Sequence, residues 1–199
     1  MRRAAAAALA ALLLGPASAG AAEVYGGVFK HDVTALGNFV GLGAAGREHG
    51  VDFHLGVRSD RLDSLSVLGR PQAHALISIN SHNTSNFVAA GLNWAIPMGQ
   101  RVYLRPGFGL AYTDGAAGLP PANAPNLTPA ERERRTRLYY TRIDFGSKVL
   151  FQPQLALGVR LTDRLAAEFA YVHLSNGQIF HTGKNQGLDD AGVRLVYSF

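Results

Sequence analysis

The amino-acid sequence predicts an all-β fold, an eight-stranded antiparallel transmembrane β-barrel of the outer membrane. After residue 50 the chain alternates apolar residues with polar or small ones, which is typical of strands that have two different faces. The polar face carries Arg, Lys, Asp, Gln and Gly on one strand after another. This composition fits a small barrel whose lumen is filled by side chains and is not an open pore.

The first 22 residues predict a cleaved secretory signal peptide, followed by one barrel domain over residues 23–199. Two arginines precede the apolar run AAAAALAALLLG, and PASAGAA then offers small-residue cleavage sites. A basic N-terminal region, a short apolar core and a cleavage site with small residues are the features of such signal peptides. The mature protein is therefore expected to be exported and to begin near Glu23.

The composition excludes several classes of protein. The chain contains no cysteine, which excludes a disulfide framework and thiolate chemistry. After the signal no run approaches the roughly 18 apolar residues of a membrane helix, which excludes a helical membrane protein. The net charge of +5 indicates a solubilising surface or an anionic partner such as phosphorylated lipid. The sequence has no nucleic-acid signature.

Eight segments carry the strand pattern, and their lengths suit the outer membrane. They are 23–31, which is weaker than the rest, 51–58, 72–80, 87–96, 101–112, 147–161, 165–175 and 188–199. In the second to sixth segments the apolar faces are Val51, Phe53, Leu55 and Val57; Ala73, Ala75, Ile77 and Ile79; Val88, Ala90, Leu92, Trp94 and Ile96; Val102, Leu104, Phe108 and Leu110; and Val149, Phe151, Leu155, Leu157 and Val159.

The connections predict an orientation. Tight turns at 97–100 and 162–164 alternate with long segments at 113–146 and 176–187, although the turn at 59–70 is longer than expected. Outer-membrane barrels have short periplasmic turns and long outer loops. The long segments should therefore face outside and the C-terminus the periplasm. The terminal Val196-Tyr197-Ser198-Phe199 also resembles the ending of bacterial outer-membrane barrels.

The last two strands carry the candidate site. Their odd positions hold most of the large apolar residues, so the odd face should point to lipid. His173, Ser175 and Asp189 lie on that face at the outer end, and hairpin pairing should bring them together. Asp190 should instead point into the barrel, although the sequence does not settle which of the two aspartates is the acid.

A serine, a histidine and a carboxylate on one face suit acyl transfer. The imidazole of His173 would deprotonate Ser175, and the acid would fix its tautomer and stabilise the imidazolium. Asn176 and the backbone N–H groups after it are candidate oxyanion donors or substrate-positioning groups. Taken singly, a His or Ser at a strand end is more often an interface residue, and Asp189 could be a solvated strand start.

These residues resemble the lipid A deacylase PagL and acyloxyacyl hydrolase family of outer-membrane barrels. The resemblance rests on His173-Leu174-Ser175-Asn176 and on Asn185-Gln186-Gly187-Leu188-Asp189, which precedes a short terminal strand. The segment GSKVLFQPQLALGVRLTD, residues 146–163, also resembles the family's third-last strand. The rest of the chain is similar only in its barrel pattern.

The resemblance implies a serine esterase that removes an ester-linked hydroxyacyl chain from lipid A (lipopolysaccharide) in the outer leaflet, with no metal or cofactor. It implies His173 as base, Ser175 as nucleophile and Asp189 as acid. The chain departs from the family where Asp189 stands for a glutamate. It departs again where Gly177-Gln178 replaces an Ala-Gly pair within a longer loop, and both departures bear on catalytic efficiency and acyl preference.

Two other functions stay open from the sequence. One is a non-enzymatic barrel, an adhesin or structural protein that uses its long loops, and the other is an outer-membrane phospholipase with the same chemistry. The charge run at 131–137 predicts a solvated loop or a contact with lipid A phosphates. The histidines at 31, 54, 74 and 82 do not have metal-ligand spacing and are expected to form hydrogen bonds in the lumen. A homodimer also stays open.

Overall fold

The structure is a computed structural model that describes residues 21–39 and 46–199. The signal peptide predicted over residues 1–22 therefore lies outside the described residues except for the last two. The described residues contain no helix that is long and apolar enough to span a membrane.

The chain folds into a closed, eight-stranded antiparallel β-barrel, as predicted. The strands are β1 Ala21–Lys30, β2 Val51–Arg61, β3 Gln72–Asn80, β4 Phe87–Asn93, β5 Ile96–Pro97, β6 Val102–Thr113, β7 Val149–Arg160, β8 Leu165–Leu174 and β9 Leu188–Ser198. Each strand pairs with its neighbour, and pairing of β1 with β9 joins the two ends of the sheet. Closure leaves no unpaired edge, which a spanning sheet requires.

The two-residue β5 continues β4, so the barrel has eight strands and not nine. Asn93 faces Gly107 and Ile96 faces Leu104, which is the same register on β6. The interruption falls opposite Pro106, whose nitrogen cannot donate to the ladder. Trp94 still donates its N–H to the Pro106 carbonyl at 3.0 Å. The predicted strand 87–96 is therefore one strand with a missing bond.

Among the described residues, three connections contain helices that the strand pattern did not predict. A short α-helix, Thr34–Phe39, lies between β1 and β2. A 3₁₀ helix, Asp63–Leu68, accounts for the unexpectedly long turn between β2 and β3. The long connection between β6 and β7 contains an α-helix, Pro129–Thr141, which is called the loop helix below. Thr128 caps it by accepting the Glu131 N–H at 3.2 Å, and Pro129 occupies the first turn.

The two faces of the barrel follow the predicted alternation. Phe53, Leu155 and Val193 are among the apolar residues that remain exposed on the outer face. The lumen is filled by buried polar side chains centred on Glu168, which is 1% exposed. Its carboxylate lies 3.0 Å from Arg58, 3.0 Å from Arg105 and 2.5 Å from Arg194. Multiple partners are what make such a buried charge tolerable.

The two ends of the barrel differ. The end that carries the connecting residues 31–39, 46–50, 81–86, 114–148 and 175–187 is called the long-loop end, and the opposite end has the shorter turns. At the long-loop end, the segment after the loop helix turns inward and covers the barrel mouth. Ile143 and Phe145 are 0% exposed there. Of the candidate residues, Asn176 contacts this buried segment through the Phe145 carbonyl.

Candidate active site

His173 and Asp189 form a short, buried hydrogen bond on the outer face of the barrel. His173 Nδ1 lies 2.5 Å from Asp189 Oδ1, and the two side chains are 4% and 0% exposed. The contact follows from register, because His173 on β8 pairs directly with Asp189 on β9. A carboxylate on Nδ1 keeps the proton there and leaves Nε2 as the basic nitrogen.

The neighbouring Asp190 points the other way, as parity predicted. Its side chain lies in the lumen, where Oδ2 is 3.6 Å from His54 Nε2. Successive residues of a strand point to opposite faces, so only one of the two aspartates can reach His173. The aspartate that contacts His173 is Asp189.

Gly187 lies against the ring of His173. A Cβ at Gly187 would lie 2.7 Å from His173 Cε1 and 3.5 Å from each ring nitrogen. The glycine backbone therefore covers the imidazole, which explains how a side chain on the outer face is only 3% exposed. The absence of a side chain at residue 187 is a steric requirement for this position of the ring.

Ser175 lies one step beyond His173 on the same outer face. Its backbone pairs with Phe151 on β7, with N–H···O distances of 2.7 and 3.2 Å. Among the described residues, neither Ser175 Oγ nor His173 Nε2 has a hydrogen-bond partner, so the serine and the imidazole share a face without being hydrogen-bonded to each other. Nucleophile-to-base bonds are often long in a free enzyme and tighten in the substrate complex.

Asn176 does not offer a free side-chain donor, contrary to expectation. Its Nδ2 donates to the Phe145 carbonyl at 2.6 Å and to the Lys184 carbonyl at 2.8 Å. Its Oδ1 accepts the Gln178 N–H at 2.7 Å, a turn that asparagine side chains favour. Both amide hydrogens are used, so this side chain fastens the loop 175–187 to the covered barrel mouth.

Two residues that the sequence reasoning left without a role support the site. Asn185 Oδ1 accepts the Asn176 N–H at 2.8 Å, which joins the two ends of the loop. Tyr171 lies diagonally across the ladder from Asp189, since it pairs with Ala191. The Tyr171 hydroxyl and Asp189 Oδ2 are both buried, and neither has a hydrogen-bond partner among the described residues. The sequence feature that could have identified Tyr171 as a neighbour of the site is its position on the same odd face as His173.

The apolar surface beside Ser175 is aromatic. The rings of Phe108 and Phe151 lie 5.6 Å apart, and those of Phe151 and Phe180 lie 4.8 Å apart. Phe108 is 50% exposed and Phe180 is 40% exposed. Together these three rings, called the aromatic strip, extend from the loop down the outer face.

The charge run at 131–137 lies in the loop helix, where its members pair with one another. Glu131 binds Arg134 at 2.8 Å and Arg135 at 2.6 Å, and Arg137 lies 3.4 Å from Glu133. Hydrogen bonds from Arg134 and Arg135 lower the pKa of Glu131 to about 2. These charges support the helix at its exposed surface.

The histidines expected in the lumen have different environments. His31 and His54 lie at the long-loop end beside Asp190, and His74 Nε2 lies 3.1 Å from Gln152 Oε1. His82 and His181 lie in loops at the same end of the barrel. His181 is not part of the His173–Asp189 pair.

The closed barrel and its apolar outer face define a bacterial outer-membrane protein. In structure, the chain is similar to the outer membrane enzyme PagL, with a TM-score of 0.54 and 13% identity over 89% of this chain and 100% of that one. It is also similar to Neisserial surface protein A, with a TM-score of 0.50 and 11% identity over 89% of this chain and 96% of that one. At these identities the likeness concerns the fold.

The family is given by the sequence. The model of the lipid A 3-O-deacylase (PagL) family matches residues 50–198, which is most of the chain. The chain therefore belongs to the lipid A 3-O-deacylase (PagL) family of outer-membrane hydrolases. No curated protein matches the chain in sequence.

Proposed function

We propose that this protein is an outer-membrane serine esterase that hydrolyses an ester-linked hydroxyacyl chain of lipid A. Ser175 is the nucleophile, His173 the general base and Asp189 the acid that orients the base. The single observation that carries the proposal is the 2.5 Å bond between His173 Nδ1 and Asp189 Oδ1, which lies on the outer face one step from Ser175. Family membership supports the substrate class.

In the acylation step, the Ser175 hydroxyl attacks the ester carbonyl carbon and its proton passes to His173 Nε2. The new C–O bond shifts the carbonyl electrons onto oxygen. When the intermediate collapses, the bond to the sugar oxygen breaks, and His173 returns the proton to that oxygen. Asp189 stabilises the transient imidazolium without taking its proton.

Deacylation repeats the sequence with water. His173 takes a proton from water as the oxygen attacks the acyl carbonyl, and collapse breaks the bond to Ser175. The hydroxy fatty acid leaves and the serine recovers its proton. General-base assistance of this kind contributes about 10²–10⁴-fold to the rate.

The oxyanion donor is expected to be a backbone N–H and not the amide of Asn176. The two Asn176 Nδ2 hydrogens bond to carbonyls, and the Gln178 N–H bonds to Asn176 Oδ1. The Gly177 N–H has no acceptor among the described residues. This N–H is therefore the available donor nearest in sequence to Ser175, and backbone N–H groups commonly fill this role.

The substrate approaches from the lipid. Ser175 lies on the lipid-facing side at the long-loop end, which we assign to the outer leaflet because outer loops are the long ones. The aromatic strip of Phe108, Phe151 and Phe180 lies beside it and offers an apolar surface for the acyl chain. An acyl chain can then remain in an apolar environment while its ester reaches the serine.

Mass spectrometry of lipid A tests the proposal. The detergent-refolded protein is incubated with lipid A and, in parallel, with a two-chain glycerophospholipid, beside Ser175→Ala. Loss of one hydroxyacyl mass from lipid A by the wild type alone is the expected result. Cleavage of phospholipid only would mark a phospholipase. No change in either lipid, with a folded barrel, would favour a non-enzymatic protein.

A further inference from the structure

A second group of ionisable side chains lies in the lumen at the long-loop end, directly behind the His173–Asp189 pair. His31, Asp52 and Asp190 are 0%, 0% and 1% exposed. One ligand-type atom from each lies within 4.8 Å of the others. His31 Nδ1 is 2.8 Å from Asp52 Oδ2 and 3.6 Å from Asp190 Oδ1. These three residues are called the lumen triad.

Asp190 is an unusual residue for a protein interior. Neither of its carboxylate oxygens has a hydrogen-bond partner among the described residues. His54 lies 3.6 Å from Asp190 Oδ2, is 3% exposed, and has two ring nitrogens that also lack partners there. A buried, unpaired carboxylate is costly unless a counter-charge is present. Asp190 therefore has unused lone pairs beside His31 and Asp52, with which it forms the lumen triad.

The groups around the lumen triad already have the arrangement of an outer coordination shell. His31 Nε2 lies 3.1 Å from Glu48 Oε2, so the ring nitrogen away from the triad donates to a carboxylate. Asn80 Nδ2 donates to Asp52 Oδ1 at 2.7 Å. Metal-binding imidazoles and carboxylates are characteristically held by such bonds.

Charge and distance both favour a cation. Arg142 lies 2.8 Å from Glu48 and balances that carboxylate, which leaves Asp52 and Asp190 together beside the imidazoles of His31 and His54. Ligands bound to one ion at about 2.0–2.2 Å lie roughly 3–4 Å apart, and the 3.6 Å separation of His31 Nδ1 from Asp190 Oδ1 falls in that range. The 2.8 Å contact of His31 Nδ1 with Asp52 Oδ2 is a hydrogen bond, which a bound ion would replace by a small widening. A donor set of imidazole and carboxylates suits Zn²⁺ or Mn²⁺, whereas Mg²⁺ prefers sites made of oxygen ligands alone.

We propose that His31, Asp52 and Asp190 bind one divalent transition-metal ion inside the barrel, with His54 beside it as a further donor. The ion joins the ends of β1, β2 and β9. The Val33 N–H, two residues after His31, donates to the Asp189 carbonyl at 2.7 Å. Metal binding therefore stiffens the backbone that presents Asp189 to His173 on the other face. This role is structural and does not depend on the proposed esterase chemistry.

Metal content and thermal stability test the proposal. The tag-free, detergent-refolded protein is stripped with a chelator and titrated with Zn²⁺, Mn²⁺ or Mg²⁺ alone, and bound metal is counted by elemental mass spectrometry after desalting. One equivalent of Zn²⁺ or Mn²⁺ is expected, with little Mg²⁺. At a hundredfold excess over Kd the melting temperature should rise by about 5–10 °C.

Two adjacent substitutions provide matched variants. Asp190→Asn should lose the bound metal and the shift in melting temperature, whereas Asp189→Asn, on the outer face, should keep both. If Asp190→Asn does not fold, Asp52→Asn takes its place, and the wild-type titration still decides the question. The proposal is overturned if the wild type binds no metal, or if Asp190→Asn binds as much. Protons, and not a metal ion, would then neutralise the carboxylates of Asp52 and Asp190.

Discussion

Replacing Gly187 by alanine should disable the site while leaving the barrel intact. The new Cβ would lie 2.7 Å from His173 Cε1, whereas carbon atoms pack best at about 3.5–4.0 Å. The imidazole must then retreat by roughly 1 Å, and a displacement of that size typically costs about 10²-fold in rate. Gly187 is not in the left-handed region of backbone space, so the effect is steric and not conformational.

The assay is the rate of release of hydroxy fatty acid from lipid A by the folded variant. Gly26→Ala is the matched control, because a Cβ there meets its nearest neighbour at an ordinary 3.7 Å and should leave the rate unchanged. Folding of both variants is checked by the heat-dependent shift in their electrophoretic mobility. A Gly187→Ala protein that is folded and as active as the wild type would refute the assigned position of His173.

Three further substitutions test other parts of the molecule. Asn176→Ala leaves two carbonyls and one N–H without their partner. Protease cleavage within loop 175–187 should therefore become faster, and the esterase activity should fall. An unchanged cleavage rate would contradict this. Glu168→Gln removes the carboxylate that three buried arginines share and should lower the free energy of unfolding in urea by about 3–5 kcal/mol. An unchanged free energy of unfolding would mean that this network is not needed for stability. Tyr171→Phe removes a buried hydroxyl diagonally across the ladder from Asp189, and neither that hydroxyl nor Asp189 Oδ2 has a partner among the described residues. We expect the two groups to bond to each other in the substrate complex, so the variant should lower kcat by roughly tenfold, with KM little changed. A lower melting temperature with an unchanged kcat would make Tyr171 a packing residue.

Much of the barrel could be predicted because alternation is a local property of the chain. A period of two specifies both the strand and the face, so Glu168 could be placed in the lumen before any contact was known. The same reasoning separated Asp189 from Asp190 and predicted the approach of Asp189 to His173, since hairpin neighbours pair directly. The interruption at Trp94 needed knowledge of its partner Pro106, which lies on the next strand.

The remaining features depend on contacts between distant segments. The oxyanion role suggested for Asn176 ignored two carbonyls, those of Phe145 and Lys184, which come from different loops. The lumen triad draws His31, Asp52 and Asp190 from three strand ends, so no spacing along the chain could reveal it. Spacing motifs detect sites within one segment, whereas closure of a barrel brings together residues that are far apart in sequence.

The identity of the nucleophile is tested most directly by labelling with a lipophilic fluorophosphonate, which reacts with activated serines. The labelled residue is located by mass spectrometry of peptides from the refolded barrel, beside His173→Ala and Asp189→Asn. We expect one adduct, on Ser175, that disappears in the histidine variant and forms more slowly in the aspartate variant. A wild-type protein that cleaves lipid A but carries no adduct on Ser175, or labels equally without His173, would contradict the proposed mechanism.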